Sequence, residues 1–312
     1  MSEERLVLEP PDKPLDSDCC GNGCVLCIFD IYNKELEIWK AECELLSKNI
    51  ANKSHIVAED INCKTTALHP DKYTEFPIVS VSQETPDILR FRFSVPAQKA
   101  IGLSIGQHVI ARFKLKNQST VARQYTPVSP LKTKGYFDLL IKIYTEGRTS
   151  QCVKSWQVGD KIEFRASTRS LNYSRNKFDR LLMLCAGTGV APMCQVISSI
   201  LEDENDETHL KLLYASKSYK YLMAKNEIDE WSRYWNFSSI FALSQEPEVV
   251  NYSYKHGEKI HKGRINKDFV TTHAGGDNSK LLVLVCGPPS FSRDMLKYVK
   301  DLGIPESSIH KF

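Results

Sequence analysis

Leu181-Leu182-Met183-Leu184-Cys185-Ala186-Gly187-Thr188-Gly189-Val190-Ala191-Pro192 is an unbroken apolar run that ends in two glycines and a proline. A strand apolar at every position is covered on both faces, which happens when helices flank a parallel sheet. Gly187 and Gly189 let the backbone approach a pyrophosphate, and Pro192 suits the first turn of a helix that continues through Ile200. By itself the motif is weak, because it falls short of the full G-x-G-x-x-G. The pattern recurs, though. Leu210–Ser216 precedes a helix over Met223–Trp231, Leu281–Cys286 precedes one over Phe291–Leu302, and Ser239–Leu243 supplies another strand. This predicts a doubly wound α/β domain over residues 178–312. Cys286-Gly287-Pro288-Pro289 forms a rigid lip at a second strand end, bordering the crevice where such sheets take ligands.

Upstream, over residues 71–177, the texture is different. Leu89, Phe91, Phe93 and Val95 alternate with Arg90, Arg92 and Ser94, the mark of a half-buried antiparallel strand. With Phe76–Ser82, Gly106–Leu115, Val121–Val128, Phe137–Tyr144 and Lys161–Arg165 it makes six strands, predicting a small antiparallel barrel. One of them carries Arg123-Gln124-Tyr125-Thr126-Pro127-Val128-Ser129. A cation, an aromatic ring and hydroxyls on an extended strand suit a flat cofactor with a diphosphate tail, and Pro127 ends the ladder. The helical stretch Gly147–Trp156 opens with Gly, Thr and Ser. Its free amides and hydroxyls offer either a phosphate site or an ordinary capped start.

At 312 residues the chain has room for two cores. A net charge of +3 and the lack of a Lys/Arg block argue against nucleic acid. No apolar run approaches a membrane span and the acidic start is no signal peptide, so the chain is expected in the cytoplasm, with peripheral association to an organelle left open. The ten cysteines are therefore read as thiols. Four crowd together at Cys19, Cys20, Cys24 and Cys27, ahead of a helix in which Ile28, Ile31, Leu36, Ile38 and Trp39 are apolar while Lys34, Glu35, Glu37 and Lys40 are polar. Such spacing suits a metal or redox knuckle, a structural knuckle or a docking peptide. His55 and Cys63 do not complete finger spacing, so no metal ligands are assigned. Residues 1–18 read as a disordered arm and 44–70 as a linker.

In series these motifs resemble the NADH–cytochrome b5 reductase branch of the ferredoxin–NADP reductase superfamily over residues 72–312. They are Arg-x-Tyr-Thr-Pro-x-Ser at 123–129, Ile141-Lys142-Ile143-Tyr144, Gly147-x-x-Ser150, Gly187-Thr188-Gly189-x-x-Pro192-Met193, Cys286-Gly287-Pro288-Pro289 and a terminal Phe312. The Cys-rich start is similar to an oxidoreductase-like N-terminal module over residues 1–70. The resemblance implies an FAD-binding barrel followed by an NADH-binding domain. Arg123 and Ser150 would hold the FAD diphosphate. Tyr125 would flank the flavin and Thr126 reach its reactive edge, making those two the catalytic pair. Ser129, Ile141, Lys142, Tyr144 and Gly147 carry over as further FAD contacts. Gly187, Thr188, Gly189, Pro192, Cys286, Gly287 and Pro288 carry over as NADH contacts. The chain departs from the family at Ala186, Thr149, Ser290-Phe291 and Ala191, and Arg165-Ala166-Ser167-Thr168-Arg169 stands where Arg-Gly-Pro-x-Gly is usual.

The implied activity takes hydride from NADH onto FAD and passes single electrons to a one-electron acceptor such as cytochrome b5 or another small haem protein. The alternative is a degenerate relative acting as a binding or assembly protein through its cysteine module. Arg90, Arg92, Lys114 and Lys116 are candidates for a basic face toward an acidic acceptor. Ser216-Lys217-Ser218-Tyr219-Lys220 is basic where a 2′-phosphate would sit, while the resemblance favours NADH.

Overall fold

The computed structural model describes residues 9–14, 28–51, 66–115, 120–247, 254–276 and 278–312. Cys19, Cys20, Cys24, Cys27, Cys63 and Lys116 lie outside the described residues, as does most of the expected N-terminal arm.

The alternating strand β2 (Ile88–Ser94) follows β1 (Thr74–Thr85) as a tight hairpin. Then come β3 (Val109–Lys114), β4 (Thr120–Tyr125), β5 (Tyr136–Lys142), helix α2 (Arg148–Lys154) and β6 (Lys161–Ala166). The antiparallel sheet has the order β4-β3-β6-β1-β2-β5. Its first half pairs β1 with β6 and its second half pairs β1 with β2, with register shifts between Ile78 and Ser80 and between Gln83 and Thr85. Such irregularities bend a long strand and let the sheet curl. The seam between edge strands β4 and β5 is crossed just beyond β4, where the Val128 N–H donates to the Asp138 carbonyl at 3.0 Å. Inside, Phe93 stacks on Phe137 at 5.0 Å and meets Phe164 edge-on at 4.8 Å, all three fully buried. Each such side chain contributes about 1.5–3 kcal/mol by burial.

The second sheet is parallel throughout. It comprises β7 (Arg180–Ala186), β8 (His209–Ser216), β9 (Phe237–Leu243), β10 (Lys259–Lys262), β11 (Leu281–Cys286) and β12 (Ile309–Lys311), in the order β10-β9-β8-β7-β11-β12. Helices α3 (Val190–Leu201), α4 (Lys225–Trp231), α5 (Lys267–Ala274) and α6 (Pro289–Asp301) cover it. Strands proceed outward from β7 in one direction to β10 and in the other to β11 and β12, so the order reverses beside β7. Ligand crevices open at such reversals.

The sequence reading is departed from in three ways. β10, α5 and β12 are not foreseen, because they are short and Lys259-Ile260-His261-Lys262 lacks the apolar run of an inner strand. Helix α4 starts at Lys225 rather than Met223, since Ala224 takes a left-handed φ of 51° that breaks the turn before it. The third is the N-terminal helix α1, Ile28–Ala51, which continues through residues 44–51 of the expected linker.

The two sheets share apolar packing. Ile88, Val128, Leu140 and Leu171 join the cluster built on α3 and β7. Gln195 of α3, with no exposure, ties the halves. It accepts from the Gly106 N–H at 2.6 Å and donates to the Gln107 carbonyl at 2.9 Å. A buried amide satisfied in both directions fixes orientation as apolar contact alone cannot.

Candidate active-site cleft

A cleft of about 920 Å3 separates the antiparallel and parallel sheets, toward the upper end of the usual range for ligand pockets. From the first sheet, Arg123, Tyr125, Thr126, Ile141, Lys142, Tyr144, Gly147 and Ser150 line it. From the second come Thr188, Gly189, Pro192, Cys286 and Gly287. Three residues named from the sequence are not among its lining. Ser129 lies behind the wall, buried, accepting the Asp138 N–H at 3.1 Å through its hydroxyl, which is a job of closing the seam. Gly187 shapes the turn with φ 55°, and Pro288 precedes the first turn of α6.

The cleft is chemically asymmetric. On β4, Arg123 donates to the Ala122 carbonyl at 2.9 Å, and among the described residues no carboxylate pairs with it. A half-buried guanidinium in that state is available to an anion. Arg148, Thr149 and Ser150 open α2 beside it, without a side-chain cap. Burial pushes the Tyr125 hydroxyl well above its usual range, against the pull of Arg123, so the phenol stays protonated. Across the cleft, burial pushes the Cys286 thiol up to about 12 despite Lys311, making it a neutral wall rather than a thiolate. Gly189 lies under this lip so closely that a Cβ there would sit 2.3 Å from the Cys286 carbonyl oxygen.

Two polar atoms of cleft-lining residues are buried without partners among the described residues, Nε2 of His108 and Nε2 of Gln124. Leaving such atoms unpaired is costly, so a polar ligand edge suits them. Burial, and then the charge of Arg165, hold His108 down at about 4, so its imidazole is neutral. Its backbone is pinned to Ser167, with N–H to Oγ at 3.0 Å and the Ser167 N–H to the His108 carbonyl at 2.9 Å. Ser167 is one of the departures after β6, and here its hydroxyl gives that segment a fixed attachment. A guanidinium that no carboxylate among the described residues neutralises, a protonated phenol, amides without a side-chain cap and two unsatisfied side-chain nitrogens fit a dinucleotide such as FAD.

The terminal Phe312 of the motif series lines the cleft, and so do His108, Arg148, Arg169, His310 and Lys311, which the motifs do not single out. The signal for His108 is its place two residues after Gly106 at the start of a strand. The basic face expected from Arg90 and Arg92 is corrected. Arg90 pairs with Glu84 at 2.9 Å, Glu227 at 2.6 Å and Asp138 at 3.4 Å, and Arg92 pairs with Asp138 at 2.8 Å. Arg90 is spent in joining β2 to α4 and β5, and Arg92, though tied to Asp138, keeps its side chain 43% exposed, as Lys114 is exposed. Glu35, which the sequence places on the polar side of α1, is instead 4% exposed. It falls at i+4 from Ile31 and three residues before Ile38, both buried, and that spacing is its overlooked signal.

Two nucleotide-type walls facing one another across a cleft define an FAD- and NAD-binding oxidoreductase. Residues 75–173 match the oxidoreductase FAD-binding domain, 183–297 the oxidoreductase NAD-binding domain, and 6–48 the N-terminal domain of oxidoreductase-like proteins. The NADH-cytochrome b5 reductase-like proteins of Mus musculus and Homo sapiens are 37% and 34% identical, each aligning over the whole of this chain and 97% of its own length. NADH-cytochrome b5 reductase 1 of Dictyostelium discoideum is 32% identical over 79% of this chain and 84% of its own. In fold, the cytochrome b5 reductase domain of Ulva prolifera nitrate reductase superposes with a TM-score of 0.69 at 23% identity, covering 80% of this chain and all of that one. The chain belongs to the NADH–cytochrome b5 reductase family, as a flavoprotein oxidoreductase with an oxidoreductase-like N-terminal module. Among the described residues no helix is long and apolar enough to cross a membrane.

Proposed function

We propose that this chain oxidises NADH and delivers single electrons to a small acidic haem protein such as cytochrome b5. The carrying observation is the cleft itself, in which Arg123, Tyr125 and Thr126 face Gly189 and Cys286. Bound FAD supplies the conversion from a two-electron donor to a one-electron acceptor. Residues 71–177 form the FAD unit and 178–312 the NADH unit.

Arg123, with Arg148 and Ser150 at the start of α2, binds the diphosphate. Tyr125 presents its protonated ring to the flavin, and Thr126, just past the end of β4, holds a hydroxyl toward the reactive edge. Ile141, Lys142, Tyr144 and Gly147 complete that wall. Gly189 and Thr188 set how near the nicotinamide dinucleotide comes, while Cys286 and Gly287 exclude water from its other side. No carboxylate pair or charged histidine is needed, consistent with the neutral state of His108. With Arg90 and Arg92 each paired to a carboxylate, the exposed cations lining the cleft are Arg148 and Arg169, and an acidic acceptor is drawn to that rim.

The test is to add FAD to the purified chain, record its visible spectrum, and titrate it anaerobically with NADH. Bleaching of the flavin bands followed by reduction of added cytochrome b5, slowing with salt, is expected. A preparation that stays colourless with FAD overturns the proposal. A flavin that NADH bleaches but that leaves cytochrome b5 oxidised overturns the acceptor assignment.

A further inference from the structure

The strand that carries Arg123 is an edge strand. In the sheet order β4 is terminal, with β3 on one side. Its outer side is occupied by the chain's own beginning. Pro11 forms a parallel bridge with Thr120, and the Asp12 N–H donates to the Thr120 carbonyl at 3.0 Å. Helix α1 lies against β4 as well. A narrow crevice between residues 11–14, α1 and β4 is lined by Ile31, Tyr32 and Glu35 on one side and by Arg123 and Arg148 on the other. The two arginines are thus a shared wall, with the cleft in front and the N-terminal helix behind.

What fastens α1 there is unusually polar for a helix–sheet contact. Glu35 Oε1 accepts from Arg165 Nε at 3.0 Å and Nη2 at 2.9 Å, and from the Tyr73 hydroxyl at 2.7 Å. The side chains of Glu35 and Arg165 are 4% and 3% exposed. A second link runs from Glu42 to Arg112 at 3.1 Å, with Arg112 also gripping Glu163 at 2.9 Å and lying 4.0 Å over the Tyr73 ring. Arg112 is on β3 opposite Ala122 of β4, and Arg165 is on β6 opposite Ile110 of β3. The helix is therefore bolted to the two strands beneath the cofactor strand. A buried pair of this kind is strict: with one partner removed, the other is left charged and dry.

We propose that α1 and residues 9–14 clamp the flavin-binding edge strand, with Glu35 as a positioning residue, so that docking of the N-terminal helix and binding of FAD are coupled. The clamp rests on the FAD assignment above. It gives the N-terminal module a function within the reductase: the module is the outer support of β4. By linkage the coupling is reciprocal, so bound FAD must steady α1 by the factor that α1 tightens FAD.

The test uses the full chain and two readouts, the FAD dissociation constant and amide hydrogen exchange over residues 28–44 with and without FAD. Glu35→Gln is expected to weaken FAD binding by about 5- to 150-fold, and Glu42→Gln by less. Glu35→Met combined with Arg165→Met, which removes both charges together, should recover most of the loss. In the unaltered chain FAD should slow exchange in α1. Unchanged FAD affinity in both single variants overturns the clamp, as does a weakened variant in a chain whose α1 exchange ignores FAD, because then Glu35 is only a folding residue. If the unaltered chain does not bind FAD, the reductase assignment fails as well, which separates the two failures.

Discussion

Gly189→Ala is the substitution for which the structure dictates the size of the effect. The added Cβ would lie 2.3 Å from the Cys286 carbonyl oxygen, 2.6 Å from its carbon and 2.9 Å from the Gly287 nitrogen. All three are backbone atoms at the end of β11, which is laddered to β7 through Cys185 and Cys286. Reaching an ordinary contact of 3.4 Å requires the glycine loop and the lip to part by about 1 Å. Overpacking on that scale costs about 1–3 kcal/mol, which lowers the melting temperature by roughly 2–10 °C. A shift of about 1 Å beside a bound substrate costs on the order of 100-fold in rate. The variant should keep its FAD absorbance yet lose about two decades in NADH-driven flavin reduction by stopped flow. Gly159→Ala, in the turn before β6 and outside the cleft lining, is the control. Its φ of 99° makes a side chain strained by about 1–2 kcal/mol, but no atom lies within 4 Å of the new Cβ. It should therefore lower stability without altering NADH kinetics. Wild-type melting and NADH kinetics in Gly189→Ala, or equal NADH defects in both variants, would refute the reasoning.

Arg123→Ala removes a charge-assisted phosphate contact of about 1.5–3 kcal/mol, so FAD should bind about 10- to 150-fold more weakly by fluorescence titration. Arg123→Lys should recover only part, because an ammonium lacks the bidentate fork. For His108, burial and the Arg165 charge lower the folded-state value to about 4 from 6.5. The unfolded chain then takes up a proton between those values that the fold refuses. The contribution is intact above about pH 6.5 and disappears as pH falls toward 4, a loss on the order of 3 kcal/mol. Urea midpoints across that window should decline less steeply in His108→Gln; an identical slope would contradict it. Lys217 and Lys220 are exposed, their ammonium groups 5.2 and 5.4 Å from the Tyr221 ring centre. Turnover with NADH should exceed that with NADPH, and replacing both lysines with Ala should leave NADH kinetics unchanged; an NADPH preference would reverse the assignment.

Much of this molecule is local in origin and therefore written in order along the chain. Alternation in Leu89–Val95 and the apolar runs Leu181–Cys185 and Leu281–Cys286 announce a half-buried antiparallel sheet and a doubly covered parallel one, because side-chain period reflects which faces meet water. The glycine loop, the Pro-Pro lip and the Arg-x-Tyr-Thr strand are legible for the same reason: each is a backbone or side-chain requirement met within a few residues. What only the tertiary structure decides is how charges distant in sequence are spent. Arg90 looks like surface until Glu227, 137 positions on, takes it. Glu35 looks solvated until Arg165, 130 positions away, buries it. A buried ion pair is settled by long-range geometry and desolvation, neither of which has a period along the chain, so the attachment of the N-terminal helix to the flavin strand emerges only once the sheets are assembled.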